Sequence, residues 1–223
     1  MKVWLVSKPA PAPQLAEEGL ETAQDLIAYC ARVSNPSNQY NTETSDRLIG
    51  YLMKHAHWSP LEMVSVTLGV ETTRDIARQF LRHRSFTFQE FSQRYSEPNQ
   101  LEGEQFVVRE ARLQDTKNRQ NSIETDDRAL QELWEAMQQD VIQAAQKSYN
   151  WAIDNGIAKE QARVVLPEGN TVSRLFVQGT IRSFIHYIQV RTEEGTQKEH
   201  RELAKAIADV VSEVFPMAST FKQ

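Results

Sequence analysis

The chain has 223 residues, 40% hydrophobic and 25% charged, with a formal net charge of -5. These are ordinary globular values, and no apolar run approaches the roughly 20 residues that a membrane helix requires. The acidic balance argues against a protein whose main partner is a nucleic-acid backbone, and the single cysteine, Cys30, excludes an intrachain disulfide and any multi-cysteine zinc or iron–sulfur site.

The length fits one domain spanning 1–223. The start, Met1-Lys2-Val3-Trp4-Leu5-Val6, has one early base and too short an apolar stretch for a signal peptide, so a cytoplasmic protein is expected. Residues 2–7 read as a strand, ended by the spaced prolines Pro9, Pro11 and Pro13. Leu20, Ala23, Ile27, Cys30 and Ala31 predict a helix over 20–32, and a second helix runs from Thr44 or Ser45 to about Ala56. Val64, Val66, Leu68 and Val70 alternate with polar or small residues, the period of a half-buried strand. Residues 72–84 read as a helix with Ile76, Ala77, Phe80 and Leu81 on its apolar face. A polar surface excursion covers 100–121, and Leu130, Leu133, Trp134, Met137, Val141 and Ala145 mark a long helix over 124–154 that Asn155-Gly156 ends. A shorter helix over 158–166, a strand over 172–177 and a helix through Ile181, Phe184, Ile185 and Ile188 follow. Thr196 and Glu199 have the spacing of a capping box opening a last helix that Pro216 stops. The fold class is α+β, a mixed sheet packed with long helices.

Between Ile76 and Gln89 stand Arg78, Arg82, His83 and Arg84 with no acid at all, in a chain that is acidic overall. Arg74, Arg78 and Arg82 recur every four residues, which on a helix aligns three like charges. Glu71 can reach Arg74 and Asp75 can reach Arg78 at a spacing of three, whereas Arg82, His83 and Arg84 have no acid within four positions. A solvated basic face, or arginines reaching distant carboxylates, explains an isolated Arg-His-Arg. The crowding of Glu90, Ser92, Gln93, Arg94 and Tyr95 just downstream adds an acceptor carboxylate, hydroxyls and a planar cation, a mixture suited to a nucleotide.

The stretch Arg82-His83-Arg84-Ser85-Phe86-Thr87-Phe88-Gln89-Glu90-Phe91-Ser92-Gln93-Arg94-Tyr95 resembles the signature of flavin-dependent thymidylate synthases: Arg-His-Arg, seven residues, Ser, and Arg-Tyr after one more. Thr87 and Gln89 stand where that family often has Ser and Asn. Companion segments resemble the family in the same order: Ala31-Arg32-Val33-Ser34, Lys54-His55-Ala56-His57 through Ser59-Pro60 to Glu62, Ala162-Arg163-Val164-Val165-Leu166-Pro167, and Arg182-Ser183 leading to Arg191.

The resemblance implies reductive methylation of deoxyuridylate (dUMP) to thymidylate, with FAD as cofactor and NADPH and 5,10-methylenetetrahydrofolate as co-substrates. It implies FAD contacts from Ser59, Arg82, His83, Arg84 and Glu90 and from the region of Thr180, Arg182 and His186, although the family often has Asn at the positions of Thr180 and His186. It implies dUMP contacts from Gln79, Arg82, Glu90, Phe91, Ser92, Gln93, Arg94, Arg163 and Arg191, with Arg191 polarising the pyrimidine, and it puts His57 near flavin and folate. It also implies a homotetramer with shared active sites, which would give Arg82 to Arg84 their partners.

That route needs no enzyme thiol, in keeping with Cys30, whose neighbours resemble a buried helix face. Ser92 has no histidine beside it in sequence, so a binding role is preferred over a nucleophilic one. His55 and His57, two apart, do not share a helix face, and no metal is expected. The rival reading is a non-catalytic nucleotide- or RNA-binding protein using the basic segment around 78–94.

Overall fold

The computed structural model describes residues 1–222. Strand β1 (Lys2–Ser7) is followed by a short helix α1 (Pro13–Glu17), α2 (Ala23–Ala31) and α3 (Ser45–Lys54), then β2 (Ser65–Thr73), α4 (Arg74–Phe80) and β3 (Thr87–Glu90). The hairpin β4 (Arg112–Gln114) and β5 (Ser122–Glu124) precedes the long helix α5 (Arg128–Asp154) and the short α6 (Lys159–Ala162). β6 (Val172–Thr180), α7 (Ile181–Arg191) and α8 (Lys198–Ser212) complete the element order, with a final 3-10 turn at Pro216–Phe221.

The main sheet has the order β1-β2-β6-β3, and its neighbours all pair antiparallel. The architecture is α+β as expected, with a correction to the mixed sheet: no strand pair in it is parallel. Val66, Leu68 and Val70 of β2 and Leu175 and Val177 of β6 point into one core with Phe80, Phe184, Tyr187, Leu203 and Ile207. Helices α7 and α8 therefore cover the sheet with their apolar stripes, the periodicity read from Ile181 and Leu203 onward.

The helix expected over 72–84 is shorter at both ends. Thr72 and Thr73 continue β2 opposite Ser173 and Val172, and after Phe80 the chain tightens through His83 N–H to the Phe80 carbonyl at 3.0 Å. Arg82 thus leaves the face that carries Arg74 and Arg78, and the expected local pairs Glu71–Arg74 and Asp75–Arg78 do not form. Glu71 lies in the strand opposite Arg174 and pairs with it at 2.5 Å, Arg74 turns to Glu90, Asp75 binds Arg109, and Arg78 meets Glu168. The expected capping box at Thr196 is also absent. Gln197 is the N-cap of α8 without a side-chain cap bond, Thr196 Oγ1 donates to the Val190 carbonyl at 3.3 Å, and Glu199 accepts from Arg112 and Gln197. A cap contributes about 1 kcal/mol, which ion pairing and tertiary hydrogen bonds override here.

The polar excursion over 100–121 carries β4, whose partner β5 begins just past its end, and is tied down by arginines. Arg109 donates to Asp75 at 2.7 and 2.9 Å and to Thr73 Oγ1 at 2.6 Å, at the junction of β2 and α4. Helix α5 starts four residues later than the spacing predicts, where the Asp127 side chain accepts from Leu130 N–H at 3.1 Å. Leu133, Trp134, Met137, Val141 and Trp151 of α5 are exposed, so its apolar stripe is not core within the subunit.

Candidate active site

Arg191 closes the last turn of α7, and its Nε–H donates to His83 Nε2 at 3.0 Å. That bond requires an unprotonated Nε2. Burial, with nearby Arg191 and His186, lowers the His83 pKa to about 4, so the ring is neutral at pH 7 and, with Nε2 accepting, carries its proton on Nδ1. The imidazole is wedged by edge contacts to Tyr187 at 5.0 Å and to Phe80 and Phe86 at 6.4 Å between ring centroids. Phe86 itself lies on Gly179, where a Cβ would stand 2.3 Å from its ring. A strand glycine, an aromatic wedge and a neutral histidine thus fix one guanidinium, leaving its two terminal NH2 groups for other partners.

Beside this pair, a cavity of about 450 Å³ is lined by Trp58, Glu62, Ser85, Arg182, His186 and Gln189. The expected flavin residues Arg182 and His186 are therefore brought together from the first two turns of α7, against the 3-10 turn Ser59–Glu62 that Ser59 opens. Arg182 is ion-paired with Glu62. Thr180 caps α7: its Oγ1 accepts from Ser183 N–H at 3.2 Å, and Ser183 Oγ donates to the Ser85 carbonyl at 3.2 Å, stitching α7 to the Arg-His-Arg turn. Arg82 and Arg84 are exposed and have no carboxylate partner among the described residues. His57 is exposed after Ala56, whose φ of 57° ends α3, and its ring lies 6.3 Å from that of His55. Among the described residues no group of three or more His, Cys, Asp or Glu could hold a metal ion.

A second group gathers around Glu90. Arg74 donates to Glu90 Oε1 at 3.2 Å and Ser173 Oγ to the same oxygen at 2.8 Å. Burial lowers the Arg74 pKa, Glu90 opposes this, and Arg78 and Arg163 lower it again, so three arginines share the carboxylates of Glu90 and Glu168. Such a surplus of guanidinium favours an anion. Phe91 N–H donates to the Arg174 carbonyl at 2.9 Å, extending β3 by a residue, and the Ser92 carbonyl accepts from Tyr95 and Ser96 in the turn beyond. Ser92 Oγ has no side-chain partner among the described residues, Gln93 is buried, and Arg94 reaches Glu160 at 3.5 Å. Gln79 turns its amide inward, donating to Gln197 Oε1 at 2.8 Å and meeting His200 Nδ1 at 3.2 Å.

Sequence reading placed Arg74 only on a basic helix face and missed Ser173, Tyr187 and His200. His200 was detectable: with Leu203, Ala204, Ile207 and Val211 it keeps the three-and-four spacing of the buried face of α8. Ser173 carries no local signal and the spacing of Arg74 does not point to Glu90, because only the fold sets the two residues beside that carboxylate.

An antiparallel α+β frame that holds an oriented arginine and a further group of arginines around Glu90 and Glu168 defines a site suited to an anionic, planar substrate such as a nucleotide. The family model described as thymidylate synthase complementing protein matches residues 17–217. A probable flavin-dependent thymidylate synthase of Paramecium bursaria Chlorella virus 1 is 47% identical over 89% of this chain and 90% of its own. The flavin-dependent thymidylate synthase of Synechocystis sp. is 45% identical over 97% and 96%. Among solved structures, the UMP/dUMP methylase PolB from Streptomyces cacaoi, bound with 5-Br dUMP, superposes with a TM-score of 0.79 at 26% identity, covering 99% of this chain and 93% of that one. The chain belongs to the flavin-dependent thymidylate synthases, a family of methyltransferases.

Proposed function

We propose that this chain methylates dUMP to thymidylate with methylenetetrahydrofolate as carbon donor, and that Arg191, oriented by neutral His83, is the group that acts on the pyrimidine. The observation that carries the residue assignment is the Arg191–His83 hydrogen bond at 3.0 Å. A guanidinium held through Nε keeps both terminal NH2 groups in one plane, the donor geometry suited to negative charge spreading over uracil carbonyls as C5 becomes nucleophilic. Arg74, Arg78 and Arg163, with Arg82, supply the charge that a nucleotide phosphate needs, while Glu90 accepts from Arg74 and Ser173 and keeps the cluster from repelling itself.

The residues present fit FAD: a cavity beside the Arg-His-Arg turn, Arg82 and Arg84, unpaired among the described residues, for a diphosphate, and Trp58 for an aromatic face. When bound and reduced by NADPH, FAD supplies the hydride that completes the methyl group. The chain's own part is to bind, orient and exclude water. Cys30 takes no part, and burial raises its thiol pKa, the opposite of what an activated nucleophile requires.

The exposed apolar stripe of α5, together with arginines lacking partners among the described residues, supports a homotetramer with shared sites. A stripe of Leu133, Trp134, Met137, Val141 and Trp151 is too apolar for a solvated helix face. The test combines tritium release from C5-labelled dUMP, with and without FAD, and light scattering at assay concentration. FAD-dependent release from a tetramer is expected. FAD-independent release would overturn the flavin route, and an active monomer would overturn the shared site.

A further inference from the structure

We propose that Glu199 is a positioning residue for the nucleotide end of the site, acting through a hydrogen-bond relay that runs Glu199–Gln197–Gln79–His200. The proposal rests on the reading that Gln79 faces dUMP. Glu199 lies in the first turn of α8 and accepts from Arg112 at 2.5 Å and from Gln197 Nε2 at 2.9 Å. Gln197 Oε1 accepts from Gln79 Nε2 at 2.8 Å, and Gln79 Oε1 lies 3.2 Å from His200 Nδ1.

The direction of every bond follows from the first. A carboxylate only accepts, so Gln197 turns its NH2 toward Glu199 and its oxygen toward Gln79. Gln79 then donates its NH2 to Gln197 and presents its oxygen to His200, which must carry its proton on Nδ1. Reversing either amide would set oxygen against oxygen or NH2 against NH2. Glu199 is kept ionised for this role: burial raises its pKa, but hydrogen bonds from its own N–H and Gln197, with Arg109 and Arg112 nearby, bring it below the ordinary carboxylate range.

The far end of the relay lies against the Arg191 support. His200 is fully buried, its Nε2 has no hydrogen-bond partner among the described residues, and its ring centroid is 5.8 Å from Tyr187 and 6.4 Å from His83. The Tyr187 hydroxyl is likewise buried without a partner among the described residues. The same arginines also explain the polar excursion. Arg109 grips the start of α4, which carries Gln79, and Arg112 grips Glu199 on α8, so residues 109–112 clamp the two helices that the relay joins.

The decisive measurement is histidine nitrogen NMR on the FAD-loaded enzyme, with His200 assigned among the five histidines by loss of its signal in His200→Gln. The relay predicts a neutral His200 with the Nδ1–H tautomer. Glu199→Gln should lose that signature and raise the dUMP KM about tenfold while FAD retention stays parental. A parental KM in Glu199→Gln, or an Nε2–H tautomer in the wild type, overturns the relay, and the wild-type measurement decides even if the variant does not fold. Gln79→Leu separates the two layers. A parental dUMP KM there refutes the nucleotide reading of Gln79 and the proposal with it, whereas a raised KM there beside an Nε2–H His200 in the wild type refutes the relay alone.

Discussion

Replacing Arg191 by lysine keeps the charge and removes the planar fork, which makes it the sharpest probe of the site. In the native arrangement Nε–H is committed to His83 Nε2 at 3.0 Å, and that histidine is neutral because burial and nearby Arg191 and His186 lower its pKa to about 4. The two terminal NH2 groups remain for substrate. A lysine ammonium has no second branch fixed by the histidine, so it either satisfies His83 or reaches the pyrimidine from an unfixed position. The loss of one charge-assisted hydrogen bond, roughly 1.5–3 kcal/mol, corresponds to a fall in kcat of about ten- to hundredfold. The assay is tritium release from C5-labelled dUMP at saturating co-substrates, with flavin absorbance reporting FAD retention. A folded, yellow Arg191→Lys enzyme at parental kcat would refute the orienting role and leave Arg191 as a helix-terminal cation.

Gly179→Ala would put a Cβ 2.3 Å from the buried Phe86 ring, which is held by Phe80, Phe184 and Tyr187, so thermal unfolding should show a loss of about 1–3 kcal/mol; an unchanged Tm would mean the wedge is not rigid. Ala56 has φ 57°, with His57 N–H donating to the Leu52 carbonyl across it, so Ala56→Gly should stabilise by about 0.5–1 kcal/mol in denaturant titration, and destabilisation would contradict the reading. Burial, aided by Arg191, lowers the pKa values of His83 and His200 to about 4 and 3, so between pH 6.5 and 4 the unfolded chain binds more protons than the native one. Stability should therefore fall with pH across that window, with each histidine adding up to about 1.4 kcal/mol per pH unit, and His200→Asn should flatten the slope. An equally steep slope in that variant would show that His200 is not the group responsible. Cys30→Ser should turn over within about threefold of the parent, because the half-buried thiol touches no step; a stable but inactive enzyme would disprove the route.

Local patterns revealed most of the elements. The alternation through Val64 to Val70 becomes β2, and the three-and-four spacing from Ile181 becomes α7, because each pattern matches the period of its own backbone. β3 escaped notice: Thr87–Glu90 is an edge strand of four residues, short and polar on one face, and its sequence reads as part of the signature loop. The final helix was expected from a capping box that does not form, since Glu199 is drawn to Arg112, 87 positions away in the chain. The stripe on α5 was legible as helical but not as exposed, because periodicity locates an apolar face without saying whether core or another subunit covers it.

The order of residues determined the family, through a long run of donors and cations from Arg82 to Tyr95 whose spacing is itself the signal. It also showed that Arg82, His83 and Arg84 lack local acids, and in the structure none of the described carboxylates comes to pair with them. Only the tertiary structure decided the partners of the remaining charges. Glu71 and Asp75 stand three residues from Arg74 and Arg78, yet they pair with Arg174 and Arg109, since a strand ends at Thr73 and sends their side chains elsewhere. Likewise His83 meets Arg191 across 108 positions, and His200 meets Gln79 across 121. Spacing along the chain fixes geometry only within one element, while contacts between elements depend on the strand register and helix packing that the whole core settles together.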